Sequence, residues 1–186
     1  KISIVDYGMG NVLSVLRAFE KVGHNVRLSS DPKELLKSEI VVIPGVGAFP
    51  TAIKNLSLSE LIDPIKNFAK SGKTVLGICL GMQLLFEKSF EFGVTPGLGL
   101  IPGEVQPIPK QDLSGKNLKV PHIGWNSLIR QSQTMNEEMF SNFKTSELFY
   151  FVHSFHAVAR LPENVVAVTN YGGYDMAAIV YSENIL

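Results

Sequence analysis

The stretch TVLGICLGMQLLF, Thr74 to Phe86, decides how this sequence folds. Its first half is a continuous apolar run that ends in Cys79, the single cysteine of the chain. Its second half lacks proline and reads as a helix, LGMQLLFE over 80–87, that starts directly behind the thiol. An apolar run of this kind fits a strand buried on both faces of a parallel sheet. In such sheets reactive groups collect just beyond the carboxyl ends of the strands. Gly77 and Gly81 flank Cys79 as G-x-C-x-G, the pattern of a nucleophile elbow with sulfur in place of oxygen. A sharp strand-to-helix turn crowds the backbone, and small residues two before and two after the bend relieve the crowding. The turn projects the side chain away from the sheet and sets it at a helix N-terminus, where the positive end of the dipole favours an anion. It also aims the amide of Leu80 at an oxygen developing on a bound substrate. The competing reading is a buried, inert cysteine, the commoner fate of a free thiol. The coincidence of strand, paired glycines and helix weighs against it.

The run before it, VVIPGVGAF over 41–49, ends in a Gly-Val-Gly loop. Glycines there permit unusual dihedrals and a close approach of backbone amides to a ligand. An amide of Val46 or Gly47, together with that of Leu80, would complete a two-donor oxyanion hole. An ordinary tight turn competes with this reading, and a nucleotide-phosphate loop lacks its G-x-x-x-x-G-K-[ST]. Further out, KISIVD (1–6) reads as a strand that gives way to the turn YGMGN. Asn11 caps a helix over VLSVLRAFEKV (12–22), with Val12, Val15, Leu16 and Phe19 on one face and Gly23 at its C-terminal end. HNVRLSS (24–30) is a second strand, KELLKS a brief helix opened by Asp31 and Pro32, and EIVVIPG (39–45) a third strand. LSELIDPIKNFAKSG (58–72) is helical, with Pro64 at a start or kink. This alternation predicts right-handed crossovers and an α/β fold with a doubly wound, flavodoxin-like, mostly parallel sheet. The second half differs. Residues 95–109 are rich in Pro and Gly without helical period, and ELFYFVHSFHAV (147–158), ENVVAVTNY (163–171) and DMAAIVYSENI (175–185) read as strands, with YGGYD (171–175) a hairpin turn. The sheet is therefore expected to gain antiparallel strands late, within one domain over 1–186.

Bulk composition excludes several function classes. The 186 residues are 45% hydrophobic and 18% charged, which suits a folded domain rather than a disordered one. Seventeen Lys plus Arg balance seventeen Asp plus Glu, so nothing in the charge points to nucleic acid or a membrane surface as partner. No apolar run is long enough to span a bilayer, and KISIVDYG lacks the layout of a signal peptide. One cysteine makes no internal disulfide, so a reducing, cytoplasmic setting is the expectation. That cysteine and the histidines at 24, 122, 153 and 156 show no metal-ligand spacing, and no cofactor is expected.

Together these segments resemble the class I, triad-type glutamine amidotransferases: GICLGMQLLFE matches their nucleophile motif and PGVGAF their oxyanion loop. DYGMGN (6–11), SFEFGVTPGLGLIPGEV (89–105), PHIGWN (121–126) and YFVHSF (150–155) narrow the resemblance to the glutaminase subunit of imidazole glycerol phosphate synthase, nearly end to end. The resemblance implies hydrolysis of glutamine to glutamate and ammonia through a thioester on Cys79. It implies delivery of that ammonia to a (β/α)8-barrel cyclase subunit in a heterodimer of histidine biosynthesis. It further implies that Gln83 contacts substrate, that His153 and Ser154 line the glutamine pocket, and that Asn11, Trp125 and Asn126 lie near the partner.

The sequence departs from the family at one place. The base and its orienting acid, expected in a Q-F-H-P-E-K-S motif just after IVYSENI, do not occur, since the chain stops at Leu186 and contains no H-x-E. His153 reads as a wall residue rather than a substitute base. The expectation is a longer native polypeptide carrying that His and Glu. The alternatives are a non-catalytic scaffold, a paralogous glutaminase serving another acceptor such as a surface sugar, and a flavodoxin-like module binding a flavin or nucleotide.

Overall fold

The computed structural model describes residues 1–131, 144 and 147–186. Four parallel strands form the central sheet: β1 (Ile2–Val5), β2 (Val26–Ser29), β3 (Ile40–Gly45) and β4 (Thr74–Cys79), in the order β2-β1-β3-β4. Alternate residues face opposite sides, and both sides are covered. Val41, Ile43 and Val75 belong to the larger core with Phe49, Leu56, Ile65, Phe68 and Leu84, whereas Ile2, Ile4 and Val42 face Val12, Val15, Leu16 and Phe19. The latter four are the predicted face of α1 (Val12–Lys21), whose first turn is capped by the Asn11 side chain accepting from Ser14 N–H at 3.3 Å. The short α2 (Pro32–Leu36) has Asp31 as its cap, accepting from Lys33 N–H at 2.9 Å. Phe49, Phe68 and Phe86 are fully buried, and each such side chain contributes about 1.5–3 kcal/mol of transfer free energy.

Two helices fill the β3–β4 crossover where the sequence predicts one. They are α3 (Phe49–Leu58) and α4 (Ile62–Lys70), separated by Glu60 at φ 55°. Pro64 sits in the first turn of α4, where its missing N–H costs nothing. The helix behind Cys79 is also shorter than its sequence suggests: α5 spans Leu80–Leu84 and gives way to β5 (Phe86–Ser89). The cause is tertiary. The amides of Leu98 and Leu100 take the carbonyls of Leu84 and Leu85, each at 2.8 Å, and so end the helical ladder.

Strands β5, β6 (Thr95–Pro96), β7 (Ile101–Pro107) and β11 (Phe155–Ala159) form a second sheet ordered β11-β7-β5-β6. The Pro- and Gly-rich tract therefore holds strands that its composition conceals. The single long strand expected over 147–158 is two: β10 (Leu148–His153) pairs antiparallel with β8 (His122–Ser127) as a ribbon, while β11 pairs with β7. The break falls at Ser154, whose carbonyl accepts from Ile108 N–H at 2.9 Å. A third sheet joins β9 (Ile129–Arg130) to the hairpin of β12 (Val165–Tyr171) and β13 (Tyr174–Val180), in the order β13-β12-β9. Beyond it the chain returns to the open edge of β4. Val75 N–H donates to Asn184 O at 3.0 Å, and Gly77 N–H to Leu186 O at 2.7 Å, in a parallel sense. Among the described residues no helix is long and apolar enough to cross a membrane.

Candidate active site

Cys79 occupies the last position of β4 and the cap position of α5, with φ 57° and ψ −116°. A left-handed φ on a side-chain-bearing residue stores about 1–3 kcal/mol of strain, tolerated only where the surroundings enforce it. Here three glycines enforce it. A Cβ on Gly81 would stand 1.8 Å from Ile43 O, one on Gly77 2.6 Å from Met82 N, and one on Gly45 2.9 Å from Gly81 N. The elbow is thus wedged against β3, in register with it, Gly45 facing Cys79. The thiol itself is exposed.

It opens on a cavity of about 360 Å³. Cys79, Leu80 and Gln83 come from the elbow and α5, Val46 and Gly47 from the loop after β3, and His153 and Ser154 from the end of β10. All seven residues that the sequence singles out for glutamine chemistry therefore meet around one space. Gly47 has φ 96°, which a side chain would resist. Asn11, Trp125 and Asn126 lie outside that lining. Asn11 is exposed beyond the carboxyl end of β1, at the same end of the sheet as Cys79, while Trp125 and Asn126 belong to β8.

Sequence reading missed several members. Glu91 lines the cavity, and its carboxylate accepts from Phe49 N–H at 2.8 Å, capping α3 from a position 42 residues away. Pro121, Val152 and Phe155 complete the wall. Behind the elbow, Tyr7 is buried and donates its hydroxyl to Pro44 O at 2.6 Å, fixing the strand that leads into the Val46 loop. Burial, and secondarily the charge of Cys79, push the Tyr7 phenol well above its ordinary range, so it stays a neutral donor. No local pattern marks Glu91 or Tyr7, because both act through contacts distant in sequence.

The pocket wall is held by a line of hydrogen bonds. Gln83 Nε2 donates to Phe155 O at 3.0 Å, and His153 Nδ1 reaches the same carbonyl at 3.0 Å. His153 Nε2 lies 2.9 Å from His122 Nδ1. Both ring nitrogens of His153 are therefore engaged, which removes it as a free base for the thiol. Burial holds the His122, His153 and His156 imidazoles below their ordinary range. Among the described residues no group of His, Cys, Asp and Glu side chains could hold a metal ion.

An exposed cysteine on a strained elbow, flanked by obligatory glycines and facing a glycine loop, suits acyl transfer from an amide. The family description "Glutamine amidotransferase class-I" matches residues 3–185. The chain belongs to the class I glutamine amidotransferases. Among curated relatives, "Imidazole glycerol phosphate synthase subunit HisH 1" of Legionella pneumophila (strain Lens) is 45% identical over 185 residues, covering 98% of this chain and 87% of the relative. "Imidazole glycerol phosphate synthase subunit HisH" of Geobacter metallireducens is 46% identical, covering 100% and 87%. Solved structures share this amidotransferase's fold. A "glutamine amidotransferase" crystal structure superposes with a TM-score of 0.69 at 17% identity, covering 100% of this chain and 87% of that one. "PurLQS from Thermotoga maritima" does so with 0.64 at 22% identity, covering 99% and 83%.

Proposed function

We propose that this amidotransferase is the glutaminase subunit of an imidazole glycerol phosphate synthase, releasing ammonia from glutamine for a (β/α)8-barrel cyclase partner. The observation that carries the reading is the Cys79 elbow opening on a cavity shared by Val46, Gly47, Gln83, His153 and Ser154. It is supported by 45% identity to subunits of that name over nearly the whole chain.

In this reading the Cys79 sulfur attacks the side-chain carboxamide carbon of glutamine. The carbonyl oxygen becomes an oxyanion, received by the Leu80 amide and by an amide of Val46 or Gly47. Such donors act most strongly on charge that develops in the transition state. Collapse expels ammonia and leaves a thioester, and water then releases glutamate and restores the thiol. A substrate α-ammonium needs an anion, and Glu91 is the acidic side chain of the cavity lining. The phenol of Tyr7, held neutral, braces the oxyanion loop from behind.

The thiol proton requires a base. We assign it, with its orienting acid, to residues following Leu186 in the native polypeptide. The segment 184–186 runs parallel to β4 with Ile185 opposite Val75, so Leu186 stands opposite Leu76, three residues short of Cys79. A continuation of about four residues, at about 3.3 Å each, reaches the elbow. For the partner, the outer face of the β8–β10 ribbon is suited to docking. Ile123, Trp125, Tyr150 and Val152 stand there in cross-strand register, each more than half exposed. A single cysteine, with no disulfide to protect, supports a reducing, cytoplasmic setting for the complex.

The test is glutamine hydrolysis by the native complex, followed by alkylation of its nucleophile. A 6-diazo-5-oxo-norleucine-type electrophile should label Cys79 in the complete protein, and rescue of a histidine auxotroph should require Cys79. Labelling elsewhere, or rescue by Cys79→Ala, would overturn the reading.

A further inference from the structure

His122 belongs neither to the nucleophile motif nor to the cavity lining, yet it is 1% exposed. Its ring lies between two others: Tyr171 stacks on it at 4.0 Å and 19°, and Phe151 at 5.1 Å and 13°. A stacked histidine could serve as packing alone. Its two nitrogens say otherwise, because each has a partner whose role is fixed.

Proton positions along the line follow from its ends. The Phe155 carbonyl can only accept, so His153 Nδ1 carries hydrogen. At the far end Asn126 Nδ2 reaches both Asn170 O, at 3.3 Å, and His122 Nε2, at 3.2 Å. Asn170 O can only accept, which fixes the amide nitrogen on that side and makes His122 Nε2 the bare nitrogen. A neutral His122 then donates from Nδ1 to His153 Nε2 across 2.9 Å. Every donor meets one acceptor, all in one direction: Asn126 to His122, His122 to His153, His153 to Phe155 O, where Gln83 also arrives. A fully satisfied network, partly buried as this one is, rigidifies the elements it joins. These elements are the ribbon β8–β10, the β10–β11 break and the helix behind the nucleophile.

We propose that His122 is a positioning residue for the glutamine pocket, holding the His153 ring through its Nε2 and thereby the Phe155 carbonyl and Gln83 in place. The proposal rests on the glutaminase reading for its functional consequence, and on geometry alone for the tautomers. The same ribbon presents Trp125 and Tyr150 on its outer face, their rings 5.4 Å apart, and His122 and His153 on its inner face. A load on the outer face therefore reaches the pocket wall through one pair of strands.

The test uses the complete native complex, with ¹⁵N-labelled histidine read by NMR and with glutamine kinetics. In the native protein His122 and His153 should each show a protonated Nδ1 and a bare Nε2. The opposite tautomer at either ring overturns the proposal. His122→Phe keeps the stacked ring and removes both nitrogens. It should leave His153 Nε2 without its donor and raise KM for glutamine by about 3- to 10-fold, the loss expected for one hydrogen bond, with kcat within about twofold. An unchanged KM overturns the proposal. Should that variant fail to fold, Asn126→Asp replaces the donor by an acceptor and should turn His122 to its Nε2–H form, and no change there overturns it equally. Absence of glutamine hydrolysis by the native complex would sink the glutaminase reading instead, and the tautomers would still decide this one.

Discussion

At Cys79 chemistry and strain share one residue. The left-handed φ of 57° is a conformation that glycine adopts freely and cysteine does not. Cys79→Gly should therefore abolish glutamine turnover while leaving the urea midpoint of the protein equal to or above that of the native chain. Relief of about 1–3 kcal/mol of strain outweighs the roughly 0.5–1 kcal/mol that a glycine costs in chain entropy. A clearly lower midpoint would mean that the bend is not strained. Glu91 gives a second residue-scale expectation: Glu91→Gln removes the carboxylate from the cavity and should raise KM for glutamine tenfold or more, as the loss of a charged hydrogen bond does. An unchanged KM would assign Glu91 to capping Phe49 N–H alone. The nucleophile and its glycines were legible in the sequence because a nucleophile elbow is a local device. Glu91, Tyr7 and His122 were not, since their partners lie 42, 37 and 31 residues away and no period or motif announces them.

Elements show the same division. The two apolar runs ending at Gly45 and Cys79 could be read as buried parallel strands because side chains on both sides of the sheet pack against helices. The face of α1 could be read because its spacing is helical. What failed were elements decided by neighbours: α5 ends because amides of the loop between β6 and β7 take the carbonyls of Leu84 and Leu85, and the run 147–158 divides because β8 and β7 each claim one half. The contact between α5 and β3 gives a sharp expectation. Gly81→Ala would bring its Cβ within 1.8 Å of the Ile43 carbonyl, so strand and helix must part. We expect a loss of more than about 3 kcal/mol in chemical denaturation, in the range reserved for severe overpacking. A loss below 1 kcal/mol would show that the elbow has room to relax. On the ribbon, Trp125 is 64% exposed and lies edge-on to Tyr150. Trp125→Ala should weaken the complex with the cyclase by about 30-fold or more if this pair is a docking centre, measured by calorimetry. Affinity within twofold of the native value would remove the ribbon from the interface.

Over the whole molecule, the two halves of the fold meet where three histidines are packed, and that junction sets an expected dependence of stability on pH. His122, His153 and His156 are held below their ordinary range, chiefly because burial disfavours the imidazolium. The unfolded chain, with histidines near 6.5, then binds more protons than the folded one as pH falls below that value. Stability rises with pH wherever the unfolded state holds more protons, so the folded state should weaken as pH drops from about 6.5. The carboxylates of Glu34, Glu39, Glu104 and Asp112 are shifted too, but downward, by lysine, arginine and terminal-amine contacts and by hydroxyl, amide and backbone hydrogen bonds. Their contribution is intact above about pH 4.3 and is lost only below it. The window between about pH 6.5 and 5 therefore belongs to the histidines. Urea midpoints should fall across it in the native protein and fall less steeply in His122→Phe, which removes one of the three titrating rings. Equal slopes in the two proteins would show that His122 keeps its proton equilibrium unchanged on folding, and that the junction is held by stacking rather than by a neutral hydrogen-bonded pair.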